Sequence, residues 1–221
     1  MADSPAPAAD RRRWRLGVLL SGRGSNFLAI QGAIERGEVP AEIAVVISNR
    51  PEAAGLTAAR ERGLRALALP HRDELDRSSH EARVTAALEE ARVDWICLAG
   101  YMRLLSPGFV GRFRHRIVNV HPSLLPAFPG LDAQGQAVEY GVRVSGCTVH
   151  LVDEGLDSGP IVVQRAVPVA ADDTPDTLAA RILEQEHRAY PEALGRLLSE
   201  PWRIEGRKLV FGGSGAAGGR E

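Results

Sequence analysis

What this 221-residue chain has little of narrows its function before any motif is read. Its 27 Lys and Arg stand against 28 Asp and Glu, a formal net charge of −1. No cationic excess is left to neutralise nucleic-acid phosphates or an anionic membrane. There are only two cysteines, Cys97 and Cys147, without a CxxC pair or a Cys/His cluster around them. Both fall in strand-like runs and read as reduced core residues of a cytoplasmic protein. No apolar run is long enough to span a bilayer, and the Ala/Pro-rich start at 1–10 lacks the apolar centre of a signal peptide. The one basic run, Arg11-Arg12-Arg13-Trp14-Arg15, reads as the solvated end of a first strand. No His, Asp and Glu set has metal-ligand spacing, so no metal is expected. His71, His80, His115, His150 and His187 read as structural or surface residues.

What is present describes an ordinary soluble globular protein, 44% hydrophobic and 25% charged. The length suffices for one sizeable domain with a full core. Short apolar strands at 16–20, 43–47, 65–69, 95–99 and 117–120 are separated by helical patterns at 25–36, 53–62 and 78–91. Apolar rather than alternating strands in a βαβα order predict an α/β fold: a mostly parallel, twisted sheet with helices on both faces and a Rossmann-like N-terminal half. After Pro126 the texture changes. Runs at 146–152 and 161–169 predict an antiparallel hairpin around an acidic turn, followed by a long closing helix at 174–198. A single domain over 14–200 is expected, with a disordered N-terminal extension at 1–13 and a disordered Gly-rich tail at 212–221.

Two stretches carry chemistry. In Asn119-Val120-His121-Pro122, the strand runs into a polar pair at i and i+2, so both side chains point to one side of the sheet. Pro122 ends the strand and removes a donor, which holds the imidazole at an edge. An amide donor beside a proton-handling imidazole suits chemistry at a carbonyl. Asp157, in the acidic turn at 153–160, can face that site and orient or charge a histidine. The second stretch is the turn Ser21-Gly22-Arg23-Gly24-Ser25-Asn26. Its glycines let the backbone approach a ligand, and the helix that follows offers free N–H groups to a phosphate. A dinucleotide fingerprint would need glycine at Phe27 and an acid where Ser48-Asn49 stand, and no Lys-Ser/Thr pair makes a triphosphate loop. A phosphomonoester therefore fits better than NAD or ATP. The glycine turn, the segment at 100–105 and the Asn119/His121 pair all follow strand ends, where ligands of open α/β sheets bind.

With those residues in view, the chain resembles phosphoribosylglycinamide formyltransferase, in SGRGSN (21–26), LAGYMRLLSP (98–107), NVHPSLLPAFPG (119–130) and GCTVHLVDEGLDSGP (146–160). The resemblance runs over about 16–198. The Asn, His and Asp elements belong to a wider group of formyl-handling enzymes; the SGRGSN turn and the short single domain narrow it. The resemblance implies that Asn119, His121 and Asp157 are catalytic and that Gly24, Ser25 and Asn26 hold the phosphate of glycinamide ribonucleotide. It further implies that Glu186 reaches the sugar or glycinamide portion of that substrate. Met102, Arg103, Leu104 and Leu105, with Asn119, would line the site for 10-formyltetrahydrofolate as co-substrate, and Arg77 takes the place of a folate-binding arginine. Two departures stand out: Asp132 where some members have histidine, and Ala127 where some have lysine.

The implied reaction is attack of the glycinamide amine on the formyl carbon. Asn119 and His121 would donate to the developing oxyanion, Asp157 keeping His121 a cationic donor and relaying a proton through water. The partners expected are these two small molecules, with no nucleic acid and no membrane, for a monomer or homodimer. Rival readings are a formyltetrahydrofolate hydrolase, expected to carry a further domain before this one, and a methionyl-tRNA formyltransferase, expected to carry one after it. A non-catalytic phosphometabolite-binding domain would keep the glycine turn without reason to pair Asn119, His121 and Asp157.

Overall fold

The apolar runs build the middle of one mixed nine-stranded sheet, ordered β3-β2-β1-β4-β5-β6-β7-β9-β8. The computed structural model describes residues 13–70 and 77–212. The expected extension up to residue 12, His71, and the tail from 213 onward lie outside the described residues. β1 (Trp14–Leu20), β2 (Ala41–Ser48), β3 (Ala66–Ala68), β4 (Trp95–Leu98) and β5 (Ile117–His121) are parallel, as continuous apolar strands require when both faces are covered. β1 lies between β2 and β4, so the strand order reverses there and a crevice opens at the carboxyl ends of β1 and β4.

The parallel run stops at β5. β6 (Val144–Leu151) pairs antiparallel with β5, setting Asn119 opposite His150 and His121 opposite Thr148. β7 (Ile161–Pro168) closes the expected antiparallel hairpin. The sheet then gains a hairpin the sequence reading does not contain. β8 (Trp202–Glu205) and β9 (Lys208–Phe211) pair antiparallel, and β9 joins β7 through Ile161 and Lys208. This hairpin lies beyond residue 200 and continues the same sheet.

Helices cover both faces. α1 (Ser25–Glu35), α2 (Ala54–Glu61) and α6 (Pro175–Ser199) bury Phe27, Ile30, Leu56, Ile182 and Leu194 against Leu16 and Val18. α3 (Arg77–Glu90) and α4 (Pro107–Arg112) bury Val84, Leu88 and Phe109 against Leu19, Ile47 and Ile117 on the other. Each such side chain contributes about 1.5–3 kcal/mol by leaving water. α4 and α5 (Ala133–Tyr140) are two further helices that the sequence reading does not contain. The long helix α6 starts at a capping box in which the Thr174 and Thr177 side chains each accept from the other's backbone N–H. It is tied to the sheet centre by Tyr190, fully buried, whose hydroxyl donates to the Val118 carbonyl at 2.8 Å.

Candidate active site

At the end of β1 the chain turns into α1 through Gly24, which has φ 78° in the left-handed region. A Cβ there would sit 2.7 Å from the Gly55 Cα, so glycine is required both by conformation and by the passage of α2. No side chain caps α1 and no acid stands in its first turn, leaving its N–H groups and positive dipole end open. Asn26, the second residue of α1, is buried and its Nδ2 donates to Glu186 Oε2 of α6 at 2.7 Å. The Asn26 Oδ1 is buried with no partner among the described residues. Burial pushes the Glu186 carboxyl up from its ordinary value, and the Asn26 donor offsets part of that rise. The ribonucleotide residues inferred from the resemblance therefore converge on one spot, although Glu186 lies 160 positions from Asn26.

At the end of β5 the polar pair meets the acidic turn. His121 is buried, its Nε2 donating to the Phe128 carbonyl at 2.8 Å and its Nδ1 lying 3.3 Å from Asp157 Oδ2. Both ring nitrogens thus face acceptors. The same Asp157 oxygen accepts from the Gly130 N–H at 2.8 Å. Asp157 itself has φ 48°, a conformation uncommon for any residue but glycine that aims the carboxylate inward. The backbone of 128–130 therefore grips both ionisable side chains, through a carbonyl on one and an amide on the other.

His150, which the sequence reading took as structural or surface, is buried at the site. It does not stand apart from the site: Asn119 Nδ2 donates to His150 Nε2 at 3.3 Å, and that nitrogen lies 3.8 Å from Asp157 Oδ1. The other ring nitrogen, Nδ1, donates to the Leu151 carbonyl at 3.0 Å, which fixes the neutral tautomer with its lone pair on Nε2. Burial holds the His150 pKa below its ordinary value, against the Leu151 carbonyl and Asp157, which raise it. A neutral imidazole thus orients the Asn119 carboxamide and leaves its second N–H for a ligand. Thr148, two residues from His150 along β6, is also fully buried. Its hydroxyl donates to the Ser123 carbonyl and accepts from the Leu125 N–H and Gln164 Nε2, pinning the chain after Pro122. Sequence reading names neither Thr148 nor Gln164, and gives His150 no contact with Asn119.

The segment after β4 joins the first turn. The Ser21 N–H donates to the Gly100 carbonyl at 3.0 Å, and the Met102 N–H donates to Ser21 Oγ at 2.8 Å. Met102 and Leu104 are 60% and 63% exposed. Arg103 is half-buried, and Leu105 packs into the core under α3. Arg77 is exposed at the first position of α3, and Asp132 accepts from Gly135 N–H as the cap of α5. Ala127 is exposed. Burial pushes the thiols of Cys97 and Cys147 up to about 12, which makes them poor nucleophiles. Among the described residues no group of three His, Cys, Asp or Glu could hold a metal ion. A cavity of about 1000 Å³ shares Asp157 with the cluster, but its walls, such as Leu125, Ile161 and Phe211, include none of the expected ligand-binding residues.

Comparison with known proteins agrees with this fold. The formyl transferase family model matches residues 14–194. The phosphoribosylglycinamide formyltransferase of Bacillus subtilis is 39% identical over 184 residues, covering 83% of this chain and 94% of that protein. A trifunctional purine biosynthetic protein of Drosophila melanogaster is 49% identical over 86% of this chain, which spans only 14% of that protein's length. The crystal structure of glycinamide ribonucleotide transformylase 1 from Symbiobacterium toebii superposes with a TM-score of 0.88 at 47% identity, covering 91% of this chain and 95% of that one.

Proposed function

Since the chain belongs to the formyl transferase family, we propose that its site moves the formyl group of 10-formyltetrahydrofolate to the amine of glycinamide ribonucleotide, in purine biosynthesis. The observation that carries this reading is the cluster of Asn119, His121, His150 and Asp157 at the end of β5, beside the uncapped start of α1. The phosphate of the ribonucleotide binds the N–H groups opened by Gly24, Ser25 and Asn26. Its polar body faces Glu186 and the unpartnered Asn26 Oδ1. The formyl-folate lies against Met102, Arg103, Leu104 and Leu105, with Arg77 toward its anionic end.

The amine nitrogen attacks the formyl carbon and the carbonyl π pair moves to oxygen. The second N–H of Asn119 donates to that oxyanion, and the imidazole of His121, held between Phe128 and Asp157, stabilises it. Collapse re-forms the carbonyl and breaks the bond to the folate nitrogen, which takes up a proton as the attacking amine loses one. Asp157, through water, relays that proton. His150 acts only by holding the Asn119 amide. The proposed compartment is the cytoplasm. The test is formyl transfer from 10-formyltetrahydrofolate to synthetic glycinamide ribonucleotide, followed optically as folate product. Folate product released at the same rate without the ribonucleotide would instead mean hydrolysis.

A further inference from the structure

Residues 101–106 belong to neither helix nor strand, yet both ends are fastened by side chains from other elements. At one end Ser21, buried at the close of β1, accepts from the Met102 N–H and donates to Asn49 Oδ1 at 2.6 Å. At the other, Glu81 of α3 is 8% exposed and takes both donors of Ser106, the N–H at 2.7 Å and the hydroxyl on its second oxygen. Between them His80 Nε2 and the Tyr101 hydroxyl meet at 3.0 Å. Glu81 and Ser21 leave the segment's outward face bare, with Met102 and Leu104 exposed. Ser106 is also the N-cap of α4, its hydroxyl accepting from the Phe109 N–H at 3.2 Å, so Glu81 fixes the point at which residues 102–105 run into that helix.

From this we infer that Glu81 and Ser21 are positioning residues for the formyl-folate: they hold residues 102–105 in the shape the co-substrate requires before it arrives. The inference rests on the reading of 102–105 as the folate wall. A coil clamped in advance loses less freedom on binding, so affinity for that ligand alone depends on the clamp. Glu81 touches neither substrate, and its effect passes through Ser106. Glutamine preserves the geometry, because its carbonyl still accepts from the Ser106 N–H and its amide can donate to the Ser106 hydroxyl.

The test compares Glu81→Ala, Glu81→Gln and Ser21→Ala in the full chain. Glu81→Ala and Ser21→Ala should each raise KM for 10-formyltetrahydrofolate about tenfold and leave KM for the ribonucleotide within about twofold, while Glu81→Gln stays within about threefold of wild type on both. Amide hydrogen exchange at Met102 and Ser106 in the ligand-free protein should quicken in the alanine variants, and tetrahydrofolate binding by calorimetry should weaken in step. Faster exchange with unchanged tetrahydrofolate affinity, or an equal rise in both KM values, would overturn the inference. Should Glu81→Ala fail to fold, Ser21→Ala decides alone. A wild-type protein that binds tetrahydrofolate but transfers no formyl group would sink the proposed reaction and leave the clamp standing on its exchange and binding results.

Discussion

Replacing His150 with alanine removes the acceptor that orients the Asn119 carboxamide, and the cost can be worked out from the geometry. At 3.3 Å the bond is long, so its net worth falls in the lower part of the usual range, about 0.5–1 kcal/mol. That corresponds to a roughly two- to fivefold loss of molecules whose Asn119 amide points correctly, and kcat should fall by that factor. Asn119→Ala, which deletes the donor itself, should lower kcat about 10²–10³-fold. The decisive measurement is the double variant. If His150 works only through Asn119, adding His150→Ala to Asn119→Ala costs nothing more, and the coupling energy equals the single His150 effect. Turnover would be followed at saturating concentrations of both substrates near about pH 7.5, where an ordinary histidine is neutral, with circular dichroism confirming folded protein. The same two- to fivefold loss in the Asn119→Ala background would refute the argument, because His150 would then act independently.

Four further outcomes follow from the site. His121→Ala should lower kcat roughly 10²–10⁴-fold while ribonucleotide binding by calorimetry stays near wild type; near-normal turnover in a folded variant would remove His121 from the chemistry. Gly24→Ala forces a left-handed φ on an L side chain at about 1–2 kcal/mol and drives a Cβ toward Gly55, so both the melting temperature and ribonucleotide affinity should drop. A variant with unchanged affinity would make the turn merely architectural. Because burial depresses the His150 pKa, its contribution to stability is complete above the ordinary histidine value of about 6.5 and is lost as pH falls below it. His150→Gln should flatten the decline in melting temperature between about pH 6.5 and 5, and parallel curves for the two proteins would contradict this. Glu186 behaves in the opposite sense: its raised pKa gives a contribution complete below the ordinary carboxyl value of 4.5 and eroded as pH rises above it. The melting temperature of Glu186→Gln should therefore gain on wild type with rising pH while ribonucleotide affinity falls; the opposite trend would show that burial does not raise the Glu186 pKa.

The parallel half of the fold was legible because apolar strands buried on both faces leave a local mark: Leu16 to Leu20 and Trp95 to Leu98 can hardly be read otherwise. α4 escaped notice because six residues give too little periodicity, although Ser106 followed by Pro107 is a helix-start signal. The β8–β9 hairpin carried one too, with Trp202 and Ile204 alternating toward a turn at Gly206, but it followed a helix read as the end of the domain. At the site, Asn119 and His121 stood out because they share a strand and a spacing. His150 did not, because its role depends on an antiparallel register that places it opposite a residue 31 positions away. The same holds for Glu186, whose bond to Asn26 arises only when α6 packs on α1. Resemblance carried Glu186 into view; no local pattern would have.

The bond from His121 Nε2 to the Phe128 carbonyl means that the site contains its own competitor. A backbone oxygen seven residues along already occupies the position on the imidazole that an incoming oxygen would seek. Any oxygen contacting Nε2 directly must displace it, and its apparent affinity is scaled by the fraction of molecules in which Phe128 has let go. The mobility of residues 127–129 thereby becomes a kinetic quantity. Stiffening that segment lengthens the wait before each encounter turns productive, and slackening it frees the imidazole between encounters. An imidazole occupied in this way also has less to offer water, which in the proposed reaction favours keeping the formyl group on its carrier until a better nucleophile is seated.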